Sequence, residues 1–222
     1  MRVVIAGAGS VGRSIASELL GNGHQVLLID RNPAAIRMDS VPDAEWLLAD
    51  ACEIASLAEA GLADCDVVVA ASGDDKVNLV VSLLAKTEYG VPRTVARVNN
   101  PKNEWMFDEA WGVDVAVSTP RLITALVEEA VSVGDLVRIF TFQQGQATMV
   151  ELTLPDDSAL AGVPVGTIEL PSDTVLVGII RNDRPIPPSR DDTLEAADEL
   201  MFITVPESEA ELQRLLSPVR AG

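Results

Sequence analysis

Residues Arg2–Asp30 read RVVIAGAGSVGRSIASELLGNGHQVLLID, and this stretch decides the fold. Val3–Ala6 is a β-branched, apolar run that stops at Gly7-Ala8-Gly9-Ser10-Val11-Gly12, after which Val11–Leu20 carries apolar residues at helical spacing. Gly21 and Gly23 end that helix, and Val26–Ile29 is a second apolar strand closing on Asp30. The order strand, glycine turn, helix, strand is that of a βαβ unit. The three glycines serve different ends. Gly7 permits the tight turn, Gly9 the close approach of a pyrophosphate, and Gly12 the close packing of helix on strand. Ala8, Ser10 and Val11 complete the turn, whose N–H groups open a helix and offer partial positive charge to phosphates. Asp30 stands near the offset of about 20 residues at which a carboxylate takes ribose hydroxyls. A carboxylate there disfavours a 2′-phosphate, so NAD(H) is preferred over NADP(H). Arg31 follows at once, suited to stacking on adenine or pairing with a phosphate.

The alternation continues outward from this unit. Trp46–Ala49, Val67–Ala70, Thr94–Val98 and Val113–Val117 read as further buried strands. Helices are expected over Asn32–Met38, Glu53–Glu59, Lys76–Tyr89 and Pro101–Trp111, the first and last with proline at their start. The fold class is therefore α/β, a Rossmann-type doubly wound parallel sheet of six strands and five helices. A further helix spans Thr119–Val133, with Gly134 just past its end. Beyond it the pattern changes. Strands at Val137–Phe142, Thr148–Leu154, Val175–Arg181 and Glu199–Val205 are separated by turns at Pro155–Ser158, Arg181–Pro188 and Arg190–Thr193, and Glu207–Leu216 closes as an amphipathic helix. The expected division is 1–118 for the dinucleotide-binding domain, 119–133 for a crossover helix, and 134–222 for a smaller α+β domain.

Two more strand ends point at the crevice where ligands sit in such sheets. Asp50, followed by Ala51, closes one, and Ser72-Gly73-Asp74 closes the other. Asp50 and Asp74 fit a ligand contact and a helix N-cap equally well. Ser72 and Gly73 are placed to present backbone N–H groups to the far ribose or phosphate. Arg97, within the otherwise apolar TVARV, is a charge that needs a partner, either a ligand phosphate at the strand end or an internal ion pair, and the ligand contact is the favoured reading.

Composition sets limits on partners. Thirty-four acidic residues against 16 basic give a net charge of −18, a field that repels nucleic acid and anionic lipid. The two cysteines, Cys52 and Cys65, with a single histidine, His24, make neither a disulfide framework nor a zinc site. His24 lies in the helix-to-strand turn, away from the crevice. The chain opens directly on a strand and has no apolar run near the roughly 18 residues of a membrane span, so a cytosolic protein without membrane insertion is expected. A dehydrogenase needs a general acid or base beside the hydride acceptor, and no residue here nominates itself. The motifs turn the reading from catalysis towards sensing.

GAGSVGRSIA with Asp30, LLADA around Asp50, ASGDDKVNLVVSLLAK, TVARVNNPKNEWMFDEAWGVD and STPRLITALVEE, followed by VGIIRNDRPIPPSRDDTLEAADELMFITV, together resemble the TrkA-like regulatory subunits of potassium uptake systems. That family joins an RCK N-terminal (KTN) domain to an RCK C-terminal (TrkA-C) domain. The resemblance covers essentially the whole chain. It implies a cytoplasmic, non-enzymatic regulator that binds NAD(H), or else ATP or ADP, beneath a potassium-translocating membrane subunit of the Trk or Ktr type. It also implies a homo-oligomer, from dimers to tetrameric or octameric rings, built through the sheet and the crossover helix. By position, Gly7, Ala8, Gly9, Ser10, Val11 and Gly12 would line the phosphates. Asp30 would bind the ribose, Arg31 would lie near the adenine, and Asp50 with Ala51 would flank the base. Ser72, Gly73 and Asp74 would follow the cleft, and Arg97 would reach the phosphates. Some relatives carry Arg at the position of Ser10 to grip a γ-phosphate, which makes this chain less suited to ATP. Many carry Gly where this chain has Asn182-Asp183 and Ala197. In some members the position of Glu129 faces a divalent cation. Two other readings stand beside this one: a small NAD-dependent oxidoreductase, and a regulator of a potassium channel or efflux antiporter.

Overall fold

The structure, a computed structural model, describes residues 1–142 and 147–216, with 129 and 130 described by their backbone alone. The chain divides into two compact units, Met1–Pro120 and Arg121–Gly222.

In the first unit, β1 (Arg2–Ala6), β2 (Gln25–Asp30), β3 (Glu45–Leu48), β4 (Val67–Ala70), β5 (Arg93–Val98) and β6 (Val115–Ser118) form one parallel sheet in the order β3-β2-β1-β4-β5-β6. Alternation of side chains divides these apolar strands between two cores. Val3, Ile5, Val26, Leu28, Val69 and Ala71 pack on one face beneath Ala16 of α1 (Ser10–Gly21). Val4, Ala6, Leu27, Ile29, Val68, Ala70, Ala96 and Val98 pack on the other, against Leu57 of α2 (Ile54–Glu59) and Leu79 and Val81 of α3 (Asp75–Thr87). A sheet covered on both faces explains why its strands are apolar throughout.

Two expected helices are corrected. Asn32–Met38 forms only short 3-10 turns at Pro33–Ala35 and Met38–Ser40, and Pro101–Trp111 forms 3-10 segments at Pro101–Met106 and Glu109–Trp111. Their starts do stand where the sequence signals them, since Asn32 and Asn100 cap their turns with Pro next. None of these segments buries a residue, so nothing extends the first turn into a helix.

The second unit holds most of α4 (Thr119–Val131). It also contains a five-stranded antiparallel sheet in the order β10-β9-β11-β8-β7: β7 (Val137–Thr141), β8 (Thr148–Thr153), β9 (Val175–Arg181), β10 (Arg184–Ile186) and β11 (Glu199–Thr204). Leu212 and Leu216 of α5 (Pro206–Leu216) join Val150, Leu152, Ile179, Leu200 and Phe202 in its core. Strand β10 lies within the stretch expected to be a turn. It pairs with β9 through a two-residue hairpin at Asn182-Asp183, and its Pro185 lies on the sheet edge, where a missing N–H is tolerated.

Candidate nucleotide-binding site

Parallel register builds the site. Ala6 pairs with Ile29 and with Ala70, Ala70 with Ala96, and Arg97 with Val117. One residue further along, Asp30, Gly7, Ala71 and Arg97 therefore stand in a row across the carboxyl ends of β2, β1, β4 and β5. They share the face covered by α1, because Ile5, Leu28 and Val69 two residues earlier lie in its core.

The glycine turn behaves as its spacing requires. Gly7 sits at φ +110°, and a Cβ on it would come within 2.8 Å of Ser72 N. A Cβ on Gly12 would overlap Gly7 O, so helix and turn touch backbone to backbone. A Cβ on Gly9 would meet nothing within 4 Å, which leaves the mouth of the turn open. Helix α1 begins with no side-chain cap and no acidic residue in its first turn. Its N–H groups and dipole are thus presented to whatever anion approaches. Ser10 is exposed, Val11 half-buried and Ala8 buried.

Asp30 does more than its motif reveals. Its Oδ2 accepts the Ala8 N–H at 2.9 Å and its Oδ1 the Asn32 N–H at 2.8 Å, so the carboxylate also fastens the glycine turn to β2. Arg31 reaches over to Asp50, Nη1 to Oδ2, at 3.3 Å. The Cys52 N–H at 2.9 Å from Asp50 Oδ1, and then the Arg31 guanidinium, hold the Asp50 carboxyl below its ordinary range. Burial, with Asp50 alongside, pushes the Cys52 thiol up. Ala51 is buried behind this corner.

On the far side, Asp74 is the N-cap of α3, its Oδ1 accepting the Lys76 N–H at 2.9 Å. The expectation that Ser72 offers its N–H to a ligand is corrected, because that group donates to Asn78 Oδ1 at 2.9 Å. Ser72 Oγ is tied into the Asp74 backbone, and Gly73 is exposed at the tip of the turn. Arg97 fits a bound anion: its Nε is buried and finds no hydrogen-bond partner among the described residues. A buried donor on a cation calls for an acceptor that the described residues do not supply.

A polar network that no sequence motif marks lies beneath this rim. Asn78, fully buried, donates from Nδ2 to Ser72 O at 3.1 Å and to Arg97 O at 2.8 Å. Asp75, only 7% exposed, accepts four hydrogen bonds, from Asn99 N, Asn99 Nδ2, Asn100 N and Asn103 Nδ2. Burial works against its ionisation, yet those bonds, led by Asn99 N–H, hold its carboxyl below the usual range. The signal lay in the density of Asn and Asp in SGDDKVN and RVNNPKN, polar residues flanking buried strands. The side chain of Glu129, the cation candidate, lies outside the described residues. Among the described residues no group of three His, Cys, Asp or Glu side chains gathers to hold a metal, and no helix is long and apolar enough to cross a membrane.

The chain is similar in sequence and fold to known proteins. Residues 3–119 match the TrkA-N domain and residues 149–217 the TrkA-C domain. The chain is 57% identical over 218 residues to the Trk system potassium uptake protein TrkA of Mycobacterium tuberculosis, covering 98% of this chain and 99% of that one. It is 29% identical over 215 residues to a TrkA homolog of Methanothermobacter thermautotrophicus, covering 96% and 98%. Among solved structures, the GsuK channel bound to NAD superposes with a TM-score of 0.68 at 18% identity, over 96% of this chain and 39% of that one.

Proposed function

The chain belongs to the TrkA family, a TrkA-N domain followed by a TrkA-C domain, and from that premise we propose that it is the nucleotide-binding regulatory subunit of a Trk-type potassium uptake system. One observation carries the nucleotide half of this reading. Ribose carboxylate, open glycine turn, uncapped helix and an Arg97 Nε unpartnered among the described residues fall in sequence along one row of strand ends. Together they make a track for a phosphate-bridged ligand.

Asp30 takes the adenosine ribose and Arg31 and Asp50, with Ala51, border the base. The turn from Gly7 to Gly12 receives the pyrophosphate, and Arg97 with Ser72, Gly73 and Asp74 borders the far half. The ligand is NAD(H) in preference to NADP(H), since a 2′-phosphate would meet the Asp30 carboxylate; ATP and ADP are the competitors. The GsuK channel, bound to NAD, shares this fold. The rim carboxylates are engaged by backbone N–H groups and Arg31.

In this reading residues 1–118 sense nucleotide, 119–133 form the linking helix, and 134–222 are the second regulatory domain. Copies of the chain associate into dimers and larger rings at the cytoplasmic face of the potassium-translocating subunit. Leu122, Ile123, Leu126, Val127 and Val131 of α4, exposed in the single chain, favour such association. Binding shifts the balance between two arrangements of the ring, and the transporter responds to that shift; this requires the ligand to prefer one arrangement. A tagged protein that recovers the Trk membrane subunit from detergent extracts, in an amount that changes when NADH is added, is the expected result. Recovery of no potassium-transport subunit under either condition contradicts the proposal.

A further inference from the structure

The backbone of the glycine turn is fastened at three points before it reaches its mouth. The Gly7 N–H donates to Ile29 O at 2.8 Å and the Ala8 N–H to Asp30 Oδ2 at 2.9 Å, while the Ala8 carbonyl accepts from Arg13 Nη1. Arg13 stands in the first turn of α1, its own N–H on Gly9 O at 3.0 Å. A helical side chain leans towards the N-terminus of its helix, which carries this guanidinium back over the turn. Ala8 is fully buried, whereas Gly9 is exposed and its N–H finds no acceptor among the described residues. The peptide joining Ala8 to Gly9 is trans, like every other among the described residues, so its N–H points opposite to its C=O. Arg13 on the carbonyl therefore fixes where the Gly9 N–H is aimed. Glycines flank Ala8 on both sides, and neither resists rotation of this peptide as a side chain would. A flipped peptide would turn the negative end of its dipole to where the N–H now points.

From this we propose that Arg13 is a positioning residue for the phosphate-binding turn. Its guanidinium anchors the Ala8 carbonyl and so keeps the Gly9 N–H presented to a diphosphate, without itself pairing with the ligand. A charged donor also polarises the peptide it holds, which strengthens the N–H at the other end. The inference rests on the nucleotide reading and gives a residue outside the glycine motif a part in its pyrophosphate step. The diphosphate is common to NADH and ADP, so Arg13 serves both alike. Adenosine, which has no phosphate, does not depend on it.

The experiment is a calorimetric titration of the full chain and of Arg13→Met, which keeps the apolar stem, with NADH, ADP and adenosine. Arg13→Met weakens NADH and ADP about tenfold each, the scale of one lost hydrogen bond to the phosphates, and leaves adenosine within about twofold. That tenfold ratio persists from about 0.1 M to about 1 M salt, where the screening length falls from roughly 10 Å to 3 Å, because the orientation of a peptide is not screened. A ratio that shrinks towards one at high salt shows the guanidinium acting as a charge on the ligand and overturns the proposal. Equal weakening of adenosine, the mark of a loosened fold, overturns it too. Arg13→Gln, too short to reach Ala8 O, is the second variant should Arg13→Met fail to fold, with the same outcome expected. Wild type that binds while the variant binds as tightly overturns this inference alone; wild type that binds none of the three overturns the nucleotide reading with it.

Discussion

At the scale of single residues, the glycine turn separates fold from function. A Cβ on Gly12 would run into the Gly7 backbone, whereas one on Gly9 would stand in open space. Gly12→Ala should lower the melting temperature sharply, by an overpacking penalty of about 3 kcal/mol. Gly9→Ala should leave melting unchanged and weaken nucleotide binding, because its backbone is already extended at φ −66°, ψ −174°. Melting curves and calorimetry on the two variants read the contrast directly; equal melting losses would show that Gly9 is structural. Asp75 carries a pH dependence of definite sign. Its carboxyl is held below the ordinary 3.8, so the stabilisation is present above that value and is lost as pH falls through the lower, folded-state value. Asp75→Asn should therefore be less stable than wild type near neutrality and should show a shallower fall in melting temperature below about pH 4. An unchanged acid limb would contradict the assigned bonds. Asp30 is legible in the sequence because its offset from the glycines is a motif. The fastening of Ala8 and Asn32 by its carboxylate is not, since it depends on where β1 and β2 end in space. The engagement of the Ser72 N–H is hidden for the same reason: only the folded chain brings Asn78 beneath it.

At the scale of elements, what the sequence makes visible is burial. The β4 limits, Val67–Ala70, stand where an apolar β-branched run predicts them, and three of its four residues are buried. The segments after Asn32 and Asn100 carry helix-start chemistry without a face to bury, so start signals alone overstate them. Strand β10 is masked by Pro185, which reads as a breaker until its edge position is known. The second unit also carries local strain. Asn182, Asp183 and Ala197 stand at φ +50°, +60° and +63°, at the positions where glycine is expected from the resemblance. Both central residues of the β9–β10 hairpin are left-handed, the geometry that Asn-Gly satisfies best. Asp183→Gly and Ala197→Gly should each raise the melting temperature, by about 1 kcal/mol of relieved strain for Ala197 and less for Asp183. A fall in either would mean that the side chain makes contacts outweighing its backbone strain.

At the scale of the whole molecule, acidity and the exposed α4 residues bear on assembly. A net charge of −18 opposes close approach of identical chains, so association depends on apolar contact strong enough to overcome it. Ile123→Asp with Leu126→Asp on α4 should shift the protein in solution towards monomer, read by light scattering. An unchanged mass would place the interface elsewhere. Loss of the larger species without loss of nucleotide binding would separate assembly from sensing. The central claim, that the row from Asp30 to Arg97 is a nucleotide sensor's site, meets its most direct test in one calorimetric comparison: NADH titrated into wild type, Asp30→Ala and Arg97→Ala. Saturable binding to wild type is expected, with at least tenfold weaker binding to each variant, the scale of a lost charged hydrogen bond. Wild type that binds neither NADH nor ATP or ADP, or variants that bind as tightly as wild type, would contradict it.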